Sequence, residues 1–192
     1  MNKLKNFNEK ILSKGHFILK KVSFDYKNLN NEWEHQEREI FDRGHGAVVL
    51  LYNQQQQSII LTEQFRMPVY MTEKEDAVMM EACAGMLDDN DPKTAIIKEI
   101  EEETGYRLKE DQITKIYKAY SSPGAVTEIL HYFVAPYTRA QKVSGGGGSA
   151  EETENIIVHE MPFAKAIQLL SDGTIKDAKT IVLLQYAQLH IF

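Results

Sequence analysis

The stretch from Ala84 to Tyr106 constrains this chain more than any other. Asp91 followed by Pro92 fits a helix N-cap and first helical position, because the proline ring presets φ where no N–H is needed. Gly105 can close the helix in the left-handed conformation. Between them, at ~100° per residue, Ile96, Ile97, Ile100 and Thr104 fall on one stripe. That stripe requires an apolar surface to pack on. The rest of the chain offers a sheet: the alternating residues 8–27, then 35–43, Ala47–Tyr52, Ser58–Thr62, 78–83, 113–120, 129–135 and 156–159 read as strands. Two further helices are expected near 162–171 and 178–189. The pattern predicts an α/β (α+β) protein with a mixed sheet between helices, and a small β-rich lobe over residues 1–42.

The same helix carries an acidic cluster. Glu99, Glu102 and Glu103 fall together on a solvent-facing stripe beside the apolar one, whereas Glu101 points elsewhere. Like charges one turn apart repel. Divalent cations relieve such repulsion, and Mg²⁺ takes oxygen ligands and commonly bridges carboxylates to substrate phosphates.

Composition narrows the partners. The formal net charge is −6, a poor match to a nucleic-acid duplex, whose binding rests on Lys and Arg. A polyphosphate remains accessible if a metal or a local cation cluster supplies positive charge. No apolar run reaches membrane-spanning length. The N-terminus lacks the apolar stretch of a secretory signal. Cys83, the single cysteine, cannot form an internal disulfide and reads as a small buried apolar side chain. These features predict a cytoplasmic protein with no nucleic-acid or membrane partner. The histidines at 35, 45, 131, 159 and 190 lack ligand spacing, Met71, Met79 and Met80 read as core filler, and Gly145–Ser149 reads as a mobile loop.

The segment resembles the signature of the Nudix hydrolases, G-x5-E-x7-R-E-U-x-E-E-x-G-U. Its second half matches from Lys98 to Tyr106, with Lys98 in place of Arg. Gly85 and Asp91 match the first Gly and the acidic position, with Asp for Glu and one residue fewer before Lys98. The whole chain is similar to the GDP-mannose pyrophosphatase branch, through Lys10-Ile11-Leu12-Ser13, Arg38-Glu39, Asp42-Arg43-Gly44, Gln64-Phe65-Arg66, Cys83-Ala84-Gly85, Ser122-Pro123-Gly124, Val126-Thr127-Glu128, the Gly-rich loop and Lys179-Thr180.

That resemblance implies a Nudix α/β/α sandwich over 43–192, preceded by the N-terminal lobe at 1–42. It implies Mg²⁺, with Mn²⁺ as a substitute, held by Glu99, Glu103, Glu154 and the Ala84 carbonyl, with Glu102 assisting. Glu154 is also the candidate general base. The implied reaction is hydrolysis of a nucleotide sugar at its pyrophosphate, GDP-mannose giving GMP and mannose 1-phosphate. An ADP-ribose or ADP-sugar pyrophosphatase is the alternative, and a non-catalytic nucleotide-sugar-binding regulator is a third reading. Arg66 would face the pyrophosphate. Glu37, Arg38 and Glu39 would reach the nucleotide across a homodimer interface, and His16 would approach the base. Gly85, Met86, Glu103, Glu128, Thr153, Glu154 and Lys179 complete the implied substrate contacts.

Overall fold

The computed structural model describes residues 3–74, 77–149 and 154–192. The chain divides into two compact units, Met1–His45 with Ala119–Leu130, and Gly46–Lys118 with His131–Phe192.

The first unit is an antiparallel sheet of β1 (Leu4–Lys14), β2 (Ile18–Lys27) and β3 (Trp33–Asp42), with β2 in the centre. The polar stretch read as a turn is closed by Asn28, whose Oδ1 accepts from the Asn30 and Glu32 N–H groups, each at 2.9 Å. This unit takes in more of the chain than residues 1–42. The Phe41 N–H donates to the Ala125 carbonyl at 2.8 Å, and Thr127 N–H returns a bond to Phe41 O at 3.1 Å.

The second unit is built on a sheet ordered β10-β5-β4-β9-β8, with β6 paired to β5 and β7 paired to β4. Its strands are β4 (Gly46–Asn53), β5 (Ser58–Phe65), β6 (Val78–Glu81), β7 (Cys83–Met86), β8 (Thr114–Tyr120), β9 (Ile129–Pro136) and β10 (Ile157–Pro162). Its helices are α1 (Met67–Glu73), α2 (Pro92–Glu99), α3 (Phe163–Ser171) and α4 (Ala178–His190). Central β4 shows why the sheet is covered on both faces. Ala47, Val49 and Leu51 join one apolar cluster with Ile96, Ile100, Tyr106 and Phe133. The alternate residues Val48 and Leu50 point the other way and are equally buried. Helix α4, with Leu183, Leu184 and Ala187 buried, also packs on β4. The expected sandwich of helices around a mixed sheet is therefore present. Cys83 is buried, as expected. Met71 is not core filler, being 62 % exposed on α1. Among the described residues no helix is long and apolar enough to cross a membrane.

The acidic helix departs from its expected shape. Asp91 caps it through Oδ1, which accepts from the Lys93 and Thr94 N–H groups at 3.0 and 3.2 Å. Helix α2 ends at Glu99, and residues Ile100–Thr104 continue as a wider π-helical turn. Gly105 then stops the helix at φ 76°. Side chains after residue 99 therefore do not follow a 100° projection. Because Asp91 serves the helix end, its loss is expected to act on stability alone. Asp91→Ala should lower the melting temperature by about 2–4 °C while leaving kcat unchanged, as thermal denaturation and steady-state rates on the same preparation would report.

Candidate active site

Glu103, in the π turn, lies deeper than expected. Its side chain was expected on a solvent-facing stripe, but it is 1 % exposed. Burial pushes its carboxyl up to about 8, reinforced by the nearby charges of Glu99 and Glu154 and opposed by hydrogen bonds from the Cys83 thiol and the Ala84 N–H. Its Oε2 is buried with no hydrogen-bond partner. An oxygen left in this state carries a substantial desolvation cost. Among the described residues, no three His, Cys, Asp or Glu side chains converge closely enough to hold a metal as they stand. The orphaned oxygen, flanked by two more glutamates, nevertheless fits a hard divalent cation, which would supply the missing partner and neutralise the repulsion.

Two glycine features shape the cluster. A Cβ on Gly85 would lie 2.2 Å from the Glu99 carboxyl carbon, so the bare Cα of β7 is the space that Glu99 occupies. Ala84, whose carbonyl is a candidate ligand, pairs with Val48 of β4, and Met86 pairs with Gly46. The Gly-rich loop, expected to be mobile, is fastened to the end of the acidic helix. Gly147 N–H donates to the Glu103 carbonyl at 2.9 Å, and Gly148 N–H to the Glu102 carbonyl at 3.1 Å. It thus satisfies carbonyls that a helix end leaves open. The approach is so close that a Cβ on Gly146 would stand 2.3 Å from the Glu103 carbonyl oxygen. The loop also brings in Glu154, whose Oε2 accepts from the Ser149 N–H at 3.0 Å. Thr153 lies outside the described residues. Glu102 is half-buried and pairs with Lys98 at 3.4 Å. Glu101 turns away, as expected, to a two-pronged ion pair with Arg107 at 2.8 and 2.7 Å.

A second charged group was not foreseen as a unit. Arg66, at the end of β5, and Lys179, in the first turn of α4, both bind Glu81 of β6. Arg66 Nε lies 2.6 Å from Glu81 Oε1 and its Nη2 3.2 Å from Oε2. Lys179 Nζ donates to Glu81 Oε2 and, at 2.9 Å, to Asp177 Oδ1. Burial opposes the charged form of Glu81, yet the Arg66 hydrogen bond and the Lys179 and Arg66 charges hold its carboxyl below the usual range. Burial likewise opposes the Lys179 charge, and Glu81 and Asp177 overcome it. Arg66 also feels the charge of Glu103. Glu81 was missed because a lone acid closing a short apolar strand carries no spacing signal.

The remaining candidates belong to the first unit. Arg38 donates to Gln36 Oε1 at 2.9 Å and to the Glu37 carbonyl at 2.7 Å. Glu37 pairs with Lys21 at 2.9 Å, and Glu39 stands opposite Lys21 in the strand register. His16 lies against Phe17 with ring centroids 4.4 Å apart. Glu128, 7 % exposed, pairs with Arg43 at 3.4 Å.

Comparison with known proteins decides what this geometry belongs to. The NUDIX domain model matches residues 42–184, and the model described as the GDP-mannose pyrophosphatase NudK N-terminal domain matches residues 3–41. The chain belongs to the Nudix hydrolase family. It is 45 % identical over 190 residues to a GDP-mannose pyrophosphatase of Yersinia pestis (strain Pestoides F), covering 99 % of this chain and 94 % of that one. A GDP-mannose pyrophosphatase of Cronobacter sakazakii is 44 % identical over 94 % of this chain and 93 % of its own length. Among solved structures, an ADP compounds hydrolase superposes with a TM-score of 0.71 at 17 % identity, covering 98 % of this chain and 94 % of that one, which shows the fold. Nudix pyrophosphatases generally use a divalent metal, in keeping with the acidic cluster.

Glu103 gives the metal-free protein a defined pH response. Its folded value of about 8 lies above the ordinary 4.5. Between these values the native state holds a proton that the unfolded chain has released. Stability from this group is therefore complete below about pH 4.5 and lost as pH rises towards 8. A divalent cation held at this carboxylate would need the ionised form, so the stabilisation it gives should grow across the same window. Thermal denaturation in EDTA and in MgCl₂, from pH 5.5 to 8.5, should show both trends, and Glu103→Gln should flatten both while lowering kcat at least ~100-fold. Gly146→Ala should cost about 2 kcal/mol through its positive φ and the carbonyl clash. Its melting temperature should drop by ~4–8 °C.

Proposed function

We propose that this chain is a Mg²⁺-dependent nucleotide-sugar pyrophosphatase whose preferred substrate is GDP-mannose, cleaved to GMP and mannose 1-phosphate. The observation carrying this reading is the buried, partnerless Glu103 oxygen beside Glu99 and Glu154, in a chain matched over nearly its full length by relatives named GDP-mannose pyrophosphatase.

Glu99, Glu103, Glu154 and the Ala84 carbonyl would hold the metal, with Glu102 assisting, and Mn²⁺ would serve in its place. The metal would supply electrophilic polarisation of the phosphoryl group and charge relief on the leaving phosphate. The protein's own groups do the rest. Arg66 and Lys179 present fixed positive charge to the diphosphate, where guanidinium geometry suits paired oxygens. Glu154 is the candidate general base where it does not serve as the extra metal ligand, and would then accept a proton from the attacking water. Gly85 and Met86 would line the approach along β7. The nucleotide contacts are assigned to His16, Glu37, Arg38, Glu39 and Glu128, with a homodimer supplying the N-terminal strands. The reaction fits a cytoplasmic enzyme acting on a soluble metabolite.

A substrate panel in ¹⁸O-labelled water tests the reading. With Mg²⁺, kcat/KM for GDP-mannose should exceed that for ADP-ribose by at least ~10-fold, a difference of about 1.4 kcal/mol in transition-state binding. One product should carry the label and identify the attacked phosphorus. A reversed preference would transfer the assignment to ADP-sugars, and absence of turnover with every nucleotide sugar would remove the catalytic reading. Glu101→Gln should run at the normal rate, since its carboxyl is tied to Arg107.

A further inference from the structure

The charged group on β6 has a feature that a simple surface salt bridge lacks. Glu81 is 3 % exposed, so its carboxylate is nearly withdrawn from water. Removing ions from water carries a penalty of several kcal/mol per ion, and a well-packed apolar side chain there would often be as stable or more so. The carboxylate instead serves two cations from distant parts of the chain. One oxygen takes Arg66 Nε, and the other takes both Arg66 Nη2 and Lys179 Nζ.

Geometry separates this arrangement from one that neutralises Arg66 outright. Glu81 holds the guanidinium by Nε and Nη2, and among the described residues no hydrogen bond engages Nη1. The Arg66 side chain is 39 % exposed, so its outer edge reaches solvent while its inner edge is fixed. The support beneath is firm. Ala82 N–H donates to Thr180 Oγ1 at 2.7 Å, Thr180 N–H donates to Asp177 Oδ2 at 2.9 Å, and Thr62 Oγ1 donates to the Glu81 carbonyl at 3.2 Å. Without an anion between them, the Arg66 and Lys179 head groups would repel and swing apart.

We propose that Glu81 is a positioning residue for the hydrolytic reaction. It holds Arg66 and Lys179 side by side as a preassembled cation pair for the substrate diphosphate. The role rests on the assignment of those two cations to the diphosphate made above. It acts through them, without touching substrate. Preorganisation of this kind lowers the ordering cost of binding, so its signature is in KM.

The test is steady-state kinetics with GDP-mannose and Mg²⁺ on the full chain, comparing Arg66→Ala, Lys179→Ala, Glu81→Gln and the Arg66→Ala/Glu81→Gln double variant, with melting temperatures recorded for each. Arg66→Ala and Lys179→Ala should each raise KM. Glu81→Gln should raise KM about tenfold, as orienting partners typically do, with a smaller effect on kcat. The double variant should fall short of the product of the two single effects, because the part of the Glu81 contribution exerted through Arg66 is already lost in Arg66→Ala, while the part exerted through Lys179 remains. A Glu81→Gln protein with normal KM and only a lowered melting temperature would overturn the proposal while leaving the function standing. Effects of Glu81→Gln and Arg66→Ala that multiply would do the same. If neither Arg66→Ala nor Lys179→Ala alters KM, the assignment of these cations to the diphosphate falls, and the positioning role with it. Should Glu81→Gln fail to fold, Glu81→Asp keeps the charge and shortens the reach. It should show the same KM increase and the same non-additivity with Arg66→Ala, and a normal KM would overturn the proposal.

Discussion

The withdrawal of one carboxylate from water organises the second unit. Glu103 sits at the end of the acidic helix with its Oε2 unpartnered and its proton affinity raised by burial. A charge in that position is unfavourable unless something positive answers it. Several local peculiarities are consequences of accommodating it. The helix widens at Ile100–Thr104, the turn that carries Glu103. Gly85 loses its side chain so that Glu99 can lie against β7. The Gly-rich loop closes over the helix end, and only glycine at 146 permits that approach.

The charge pattern also explains how an acidic protein can bind a polyanion. Three glutamates, Glu99, Glu103 and Glu154, act electrostatically on one another through Glu103. Arg66 and Lys179 form a separate group, offset by Glu81 and Asp177. The protein's own charge therefore does not attract a diphosphate to the acidic side, where a bound divalent cation would reverse the sign. On the basic side, Glu81 and Asp177 neutralise the pair at short range but leave the exposed edge of Arg66 available. Net charge of −6 thus says little about phosphate binding once the charges are sorted by position.

Much of the fold was readable because burial and periodicity agree. The β4 run is apolar at every position from Ala47 to Leu51, and a strand covered on both faces requires this. Asp91-Pro92 and Gly105 mark the helix ends by capping chemistry, and both behave as capping residues do. The acidic cluster was readable as composition and motif, and its depth was not. Seven residues on from Ile96, Glu103 falls within ~20° of that buried side chain at ~100° per residue, so it lies at the edge of the apolar stripe, where grouping it with Glu99 and Glu102 hid its burial. Glu81 escaped notice for a different reason. Its partners come from the end of β5 and the start of α4, and only tertiary folding brings them together. The Gly-rich loop looked mobile because glycine runs usually are; here the glycines permit a close backbone approach.

These departures from local expectation are not scattered. A π turn, a glycine loop packed on a helix end and an acid buried between two cations each violate a rule that the rest of the unit obeys, and each involves Glu103 or a group that senses its charge. A fold selected for stability alone would relax them, with a regular helix, a shorter loop and an apolar residue at position 81. Their concentration around one carboxylate is what a site built against local stability produces. The orphaned oxygen of Glu103 and the solvent-facing edge of Arg66 are interactions that a bound metal and a diphosphate would each complete. On this view the scaffold contributes preorganisation more than chemistry: Glu81 and Asp177 fix the cation pair before the ligands arrive.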